Sequence, residues 1–94
     1  MDKPEASAIL ATEVQKLRKR PYCELVRRLL DKQETFEVTA ASGVRYQIEL
    51  QAFRDDKRAK NLRVIGAIDD GGWSSYLPLT DNFIVAPDGS FVGK

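Results

Sequence analysis

Histidine is absent from this chain of 94 residues, and cysteine, methionine and tryptophan occur once each. The commonest general base and the commonest zinc ligand are therefore both missing. Ser-His-Asp and Cys-His arrangements are excluded, so Ser74, Ser75 and Cys23 have no imidazole to activate them. One cysteine cannot close an internal disulfide, and without histidine it cannot build a usual structural zinc site. Neither Gly-x-Gly-x-x-Gly nor Gly-x-x-x-x-Gly-Lys-Ser/Thr occurs, which removes the common phosphate-cradling loops. The longest apolar runs are short, such as Phe83–Pro87, far below the ~20 residues of a membrane-spanning helix. The opening MDKPEASAILATEVQ carries acids and no compact apolar block, so a secretion signal is not expected. With the lone cysteine, that points to the reducing cytoplasm.

What is present is the composition of one small domain: 43 % apolar residues, 31 % charged and a net charge of +1. The apolar share is too high for disorder, and a chain of this length buries roughly 60–65 % of its unfolded surface, enough for one core. Residues 1–94 read as a single α+β domain, helical over 5–32 and sheet over 35–92.

Leu10, Val14 and Leu17 recur at helical spacing between Glu5 and Lys19, with Pro4 and Glu5 suited to a helix start. Tyr22, Leu25, Val26 and Leu29 form a second stripe, rotated by roughly 100° from the first, so one straight helix cannot place both on one core. A break at Arg20–Pro21, with Pro21 in the first turn of a second helix, resolves the conflict; the reading is two helices or one sharply kinked helix. After Gln33 the period changes to alternation. Phe36 and Val38 make one strand, Ala41-Ser42-Gly43 a turn, and Val44, Tyr46, Ile48 and Leu50 a half-buried strand. Its wet face carries Arg45, Gln47, Glu49 and Gln51. Residues 54–61 read as a polar connector, and Leu62–Ile68 as a third strand whose Gly66 marks a bulge or a close backbone approach. Asp70-Gly71-Gly72 is a turn signal leading to a fourth strand over Trp73–Leu79, stopped by Pro78. Phe83-Ile84-Val85 is a short extended piece, Ala86–Ser90 a turn, and Phe91-Val92 a closing strand. Short connections predict an antiparallel meander of four to five strands with the helices on one face.

Charge is uneven along the chain. Residues 1–33 hold 8 basic and 5 acidic side chains, 34–53 hold 1 and 3, 54–63 hold 5 and 2, and 64–94 hold 1 and 4. Lys16, Arg20, Arg27, Arg54, Lys57, Arg58 and Lys60 are the candidate phosphate-facing residues of a nucleic-acid binder. Acids interleave with them and no base-stacking aromatic accompanies them apart from Tyr22, so a solvated charged surface is the simpler reading. Asp70, Asp81 and Asp88 stand beside glycine, asparagine or proline and Asp69 two residues before Gly71, where aspartate caps turns, and their spacing fits no metal loop. No metal and no cofactor is expected. Cys23 reads as a small helix residue without a resolving partner. Trp73 and Tyr76, flanked by Ser74 and Ser75, have the composition of a contact surface.

The stretch from Ile68-Asp69-Asp70-Gly71-Gly72-Trp73 through Leu77-Pro78-Leu79, Asp81-Asn82-Phe83-Ile84 and Ala86-Pro87-Asp88-Gly89-Ser90-Phe91-Val92-Gly93 resembles a family of small, mostly bacterial proteins of unknown function. The strand pair Val44–Glu49 and Leu62–Gly66 fits as well, so the resemblance spans residues 36–93. Lys94 departs from it, standing where the family implies an acid. The resemblance implies a stand-alone domain with no assigned catalytic residue, and by analogy an immunity- or antitoxin-like role. The expectation is thus a non-catalytic module that binds another protein through Asp69, Asp70, Trp73 and Tyr76, with nucleic-acid binding as the alternative and a carboxylate-based enzyme third. Paired charges on the wet face contribute only ~0–1 kcal/mol each, so a monomer or weak homodimer is expected, with no membrane association.

Overall fold

In a computed structural model, which describes residues 1–56, 58, 60–72 and 78–93, two helices lie on one face of a five-stranded antiparallel sheet. The helices are α1 (Lys3–Arg18) and α2 (Tyr22–Leu29), and the strands are β1 (Gln33–Thr39), β2 (Arg45–Asp56), β3 (Asn61–Asp69), β4 (Leu79–Val85) and β5 (Phe91–Val92). Strand order in space is the order in sequence, β1-β2-β3-β4-β5. Among the described residues no helix is long and apolar enough to cross a membrane.

Asp2 caps α1, its side chain accepting the Glu5 N–H at 3.0 Å, and Pro4 occupies the first turn, where its missing N–H costs nothing. The helix buries Ala6, Leu10, Val14 and Leu17. Pro21 then separates the two helices. It is the extended N-cap of α2 rather than a first-turn residue, and its carbonyl accepts the N–H groups of Glu24 and Leu25 at 3.1 Å each. The break turns Leu25 and Leu29 onto the core that α1 already covers. α2 ends at Leu29, short of the residue 32 expected, and Asp31 takes a left-handed φ of 56° as the chain turns into β1.

The sheet's inner face carries Tyr46, Ile48, Leu50 and Ala52 of β2, Leu62, Val64 and Ile68 of β3, and Phe83 and Val85 of β4, all buried. Two expectations are corrected. Residues 54–56 belong to β2, because the ladder to β3 continues through Arg54↔Leu62 and, past an irregularity, Asp56↔Asn61. The pairing holds the backbone of these charged residues extended, which their polarity alone does not suggest. Likewise β4 begins at Leu79, after Pro78, and runs through Thr80-Asp81-Asn82 because β3 pairs with it along its whole length. The strand expected over Trp73–Leu77 lies outside the described residues.

Gly66 settles between its two readings. The register of β3 is unbroken there, opposite Leu50 on one side and Asp81 on the other. A Cβ at this position would meet Leu10 Cδ1 and Val14 Cγ2 at 3.1 Å and Leu50 Cδ2 at 3.3 Å, so α1 rests directly on the strand backbone. We expect Gly66→Val to overpack this seat and lower the unfolding free energy by about 1–3 kcal/mol. Urea denaturation measures it, and a midpoint equal to wild type would show that α1 does not lie this close.

Candidate functional site

The helix-free face of the sheet is built by the alternate residues of each strand. Across its hairpin end, Phe53 of β2, Arg63 of β3, Ile84 of β4 and Val92 of β5 stand opposite one another in one row. The next row is Gln33, Gln51, Ile65 and Asn82. Phe53 and Val92 are 41 % and 37 % exposed, and Ile65 and Ile84 are half-buried. Arg63 sits amid these apolar side chains with its charge answered: its Nε donates to Asp55 Oδ1 at 2.9 Å and its Nη1 to Asn82 Oδ1 at 3.0 Å. An arginine pre-ordered in this way presents its flat guanidinium and aliphatic stem without a free charge to desolvate. Farther along the face come Glu49 with Ala67 and Thr80, then Glu37, Gln47 and Asp69, with Arg45 near the β1–β2 turn. Apolar at one end and acidic at the other, this face carries Glu37, Glu49, Asp55 and Asp69 against Arg45 and Arg63 among the described residues.

At the edge formed by β4 and β5, Phe83 and Phe91 meet edge to face with centroids 5.7 Å apart, and the Arg18 guanidinium lies 4.8 and 5.2 Å from the two rings. A cavity of about 150 Å³ opens beside them, lined also by Ile84, Val92 and Gly93. It wraps the sheet edge and joins the apolar row of the helix-free face through Ile84 and Val92.

Of the contact residues expected from sequence, Trp73 and Tyr76 lie outside the described residues. Asp69 ends β3 on the helix-free face, and Asp70 follows it. Each caps the glycine turn, Asp69 Oδ1 accepting the Gly71 N–H at 2.8 Å and Asp70 Oδ1 the Gly72 N–H at 3.1 Å. Asp81 accepts its neighbour Asn82 N–H at 2.9 Å, and Asp88 accepts both the N–H and the hydroxyl of Ser90 at 2.9 and 2.6 Å, contacts that hold its carboxyl below the usual range. Among the described residues no three acids or thiols gather as a metal site.

Three of the cations named for nucleic acid, Lys16, Arg20 and Arg54, are engaged by the protein. Lys16 pairs with Glu13 at 3.0 Å and Arg20 with Glu24 through two bonds of 2.8 and 2.5 Å. Arg20 holds the Glu24 carboxyl below the usual carboxylate range, and Arg28, bidentate on Glu34, does the same there. Arg54 donates to the Tyr22 hydroxyl and to the Lys60 carbonyl, to which Tyr22 also donates at 2.6 Å. Arg27, Arg58 and Lys60 are exposed, and Lys57 lies outside the described residues. The break at Pro21 divides the stripe that Lys16, Arg20 and Arg27 would share on one helix. Cys23 is exposed on α2.

Phe53, Ile65, Ile84 and Val92 were not singled out from sequence. The available signal was Phe53, which continues the odd-numbered wet positions of Arg45–Gln51, and Ile65, an apolar residue at a wet position of its strand. No family model, no curated protein and no solved structure matches this chain.

At the opposite end, Tyr46 is buried and its hydroxyl donates to Glu5 Oε1 at 2.8 Å. Burial, then the Glu5 carboxylate, pushes the phenol from 10.0 up to about 12. The neutral phenol is thus favoured in the folded state. Its stabilising contribution is complete below pH 10.0 and is lost as pH rises from there through about 12. Urea midpoints measured at rising pH should fall over this window more steeply for wild type than for Tyr46→Phe. Parallel pH curves would show that Tyr46 does not ionise late.

Proposed function

We propose that this chain is a non-catalytic protein-binding domain whose contact surface is the helix-free face of its sheet. The observation that carries the reading is the apolar row Phe53–Ile84–Val92 with Ile65, built around an Arg63 already neutralised by Asp55 and oriented by Asn82. Interface centres are rich in aromatic, aliphatic and arginine side chains, and a satisfied arginine suits such a centre because its pairing needs no rearrangement on binding. Acids at the far end, Glu37, Glu49 and Asp69, favour a partner that is apolar where it meets Ile84 and basic where it meets Glu49. Asp69 and Asp70 form the margin of this surface, next to the segment bearing Trp73 and Tyr76.

A catalytic reading has less support, since Asp69, Asp70 and Asp88 are engaged in their own turns and Asp81, expected in a turn, lies within β4 bound to the Asn82 N–H. A nucleic-acid reading has less support because Lys16, Arg20 and Arg54 already serve as partners for protein groups. The exposed lone thiol of Cys23 fits action in the reducing cytoplasm.

A photo-crosslinking amino acid placed at Ile84 in living cells should give one discrete protein adduct, and the same group at Arg27 on α2 should not. Ile84→Arg should weaken binding of the purified adduct partner by roughly 2 kcal/mol or more, as at the centre of an interface. The reading is wrong if Ile84 gives no adduct, if Arg27 gives the same one, or if Ile84→Arg binds undiminished while folded.

A further inference from the structure

The two edges of the sheet differ in how they are protected. At the β4–β5 edge, Pro78 precedes β4, the inward side of β4 carries the charged Asp81, and β5 is two residues long. Proline, inward-pointing charge and short strands are the devices by which edges resist pairing. β1 is the opposite case. Its seven residues, QETFEVT, contain no proline and no lysine, and their register with β2 is unbroken from Gln33↔Gln51 to Thr39↔Arg45. Its one inward acid, Glu34, is already bound by Arg28 through bonds of 2.9 and 2.8 Å.

The direction of the backbone groups follows from the adjoining turn. The Ala40 N–H donates to the Val44 carbonyl at 2.8 Å, so Ala40 faces β2. Alternation then turns Val38, Phe36 and Glu34 toward β2 and leaves the N–H and C=O groups of Gln33, Thr35, Glu37 and Thr39 on the outer edge. Among the described residues no strand pairs with that edge. The main helix contacts lie elsewhere: α1 packs over β3 and β4 and α2 over β2 and β3, with Arg28 of α2 reaching β1 at the inward Glu34, so Phe36 and Val38 stay half-buried at the margin of the helix layer.

We propose that a second copy of this chain pairs on the outer edge, β1 against β1 antiparallel, about a two-fold axis through Phe36. Three features select this occupant and register. Residues 33–39 overlap completely when Phe36 opposes Phe36, so every outward backbone group of the strand finds a partner. Glu37 then opposes Thr35 of the second copy and Glu34 opposes Val38, with no like charges face to face, whereas a shift that puts Glu37 on Glu37 is repulsive. The half-buried Phe36 and Val38 of both copies share one side of the joined sheet, filling the space between the two helix layers. The self-complementary match of one strand with itself is what an isologous interface requires. The joined sheet has its helices on one side and brings both helix-free faces onto the other.

Light scattering over a dilution series tests the pairing. Wild type should approach twice 10.6 kDa when concentrated and return toward 10.6 kDa when dilute. Thr35→Pro removes an outward N–H and no bond to β2, so it should keep the wild-type circular dichroism and remain at 10.6 kDa throughout. In a Cys23→Ser background, oxidised Phe36→Cys should give a covalent dimer and Thr35→Cys should not, because only residue 36 meets its own copy across the axis. A wild type that stays monomeric when concentrated overturns the proposal. So does a dimer that survives in folded Thr35→Pro, or cross-linking at Thr35 in place of Phe36.

Discussion

Everything in this fold is referred to the seat of α1 on Gly66. A strand residue without a side chain lets Leu10 and Val14 approach to within van der Waals reach of the β3 backbone, and Leu50 closes the same space from β2. The central strand thereby becomes the floor of the core, with Leu62, Val64 and Ile68 on either side of the glycine turned to the same face. Because α1 lies low there, its first turns reach Tyr46 and Ser42 at one end of the sheet, and Arg18 reaches the Phe83–Phe91 pair at the other. Among the described residues, the strand face away from the helices receives no such cover. Its apolar row exists because β3 is buried on one side only, and the outward residues of that strand must be satisfied by neighbours in the sheet or by a partner.

Polar groups fasten the helices at positions the core does not reach. Glu5 accepts from both the Tyr46 and Ser42 hydroxyls, at 2.8 and 2.9 Å, and ties the start of α1 to the turn between β1 and β2. Tyr22 ties the start of α2 to the β2–β3 hairpin through the Lys60 carbonyl, with Arg54 donating to the same phenol. Arg28 bridges Glu24 on its own helix and Glu34 in β1, at 3.6 and 2.8 Å. Lys16, Arg20, Arg28 and Arg63 are held in local pairs of this kind, so charge counted along the chain overstates the positive surface at those positions.

Periodicity made the helices, β1, the core of β2 and β3, and the meander legible, because burial on one face imposes spacing that survives in the sequence. Pro21 marked the helix break, although it caps α2 from outside, a distinction carried by its ψ of 149° and not by residue type. Elements defined by pairing were harder to see. Arg54-Asp55-Asp56 and Thr80-Asp81-Asn82 have turn-like composition, yet ladder bonds to β3 hold both as strand. The turn roles of Asp69, Asp70 and Asp88 were legible from their glycine and proline neighbours, since an aspartate caps a local loop using contacts two residues away. The apolar row was not, because Phe53, Ile84 and Val92 belong to three strands and become neighbours only through registers that no single strand encodes.

The identity of spatial and sequential strand order has a consequence for how the chain acquires its structure. Each strand pairs with the one made just before it, so every step of sheet growth closes a short loop. The distant closure is the docking of α1, synthesised first, onto β3 and β4, which come more than forty residues later. The sheet is thus built from local closures, while the joining of the two layers spans the chain. The entropic cost of that distant closure falls on the contact between the first helix and the glycine of the third strand.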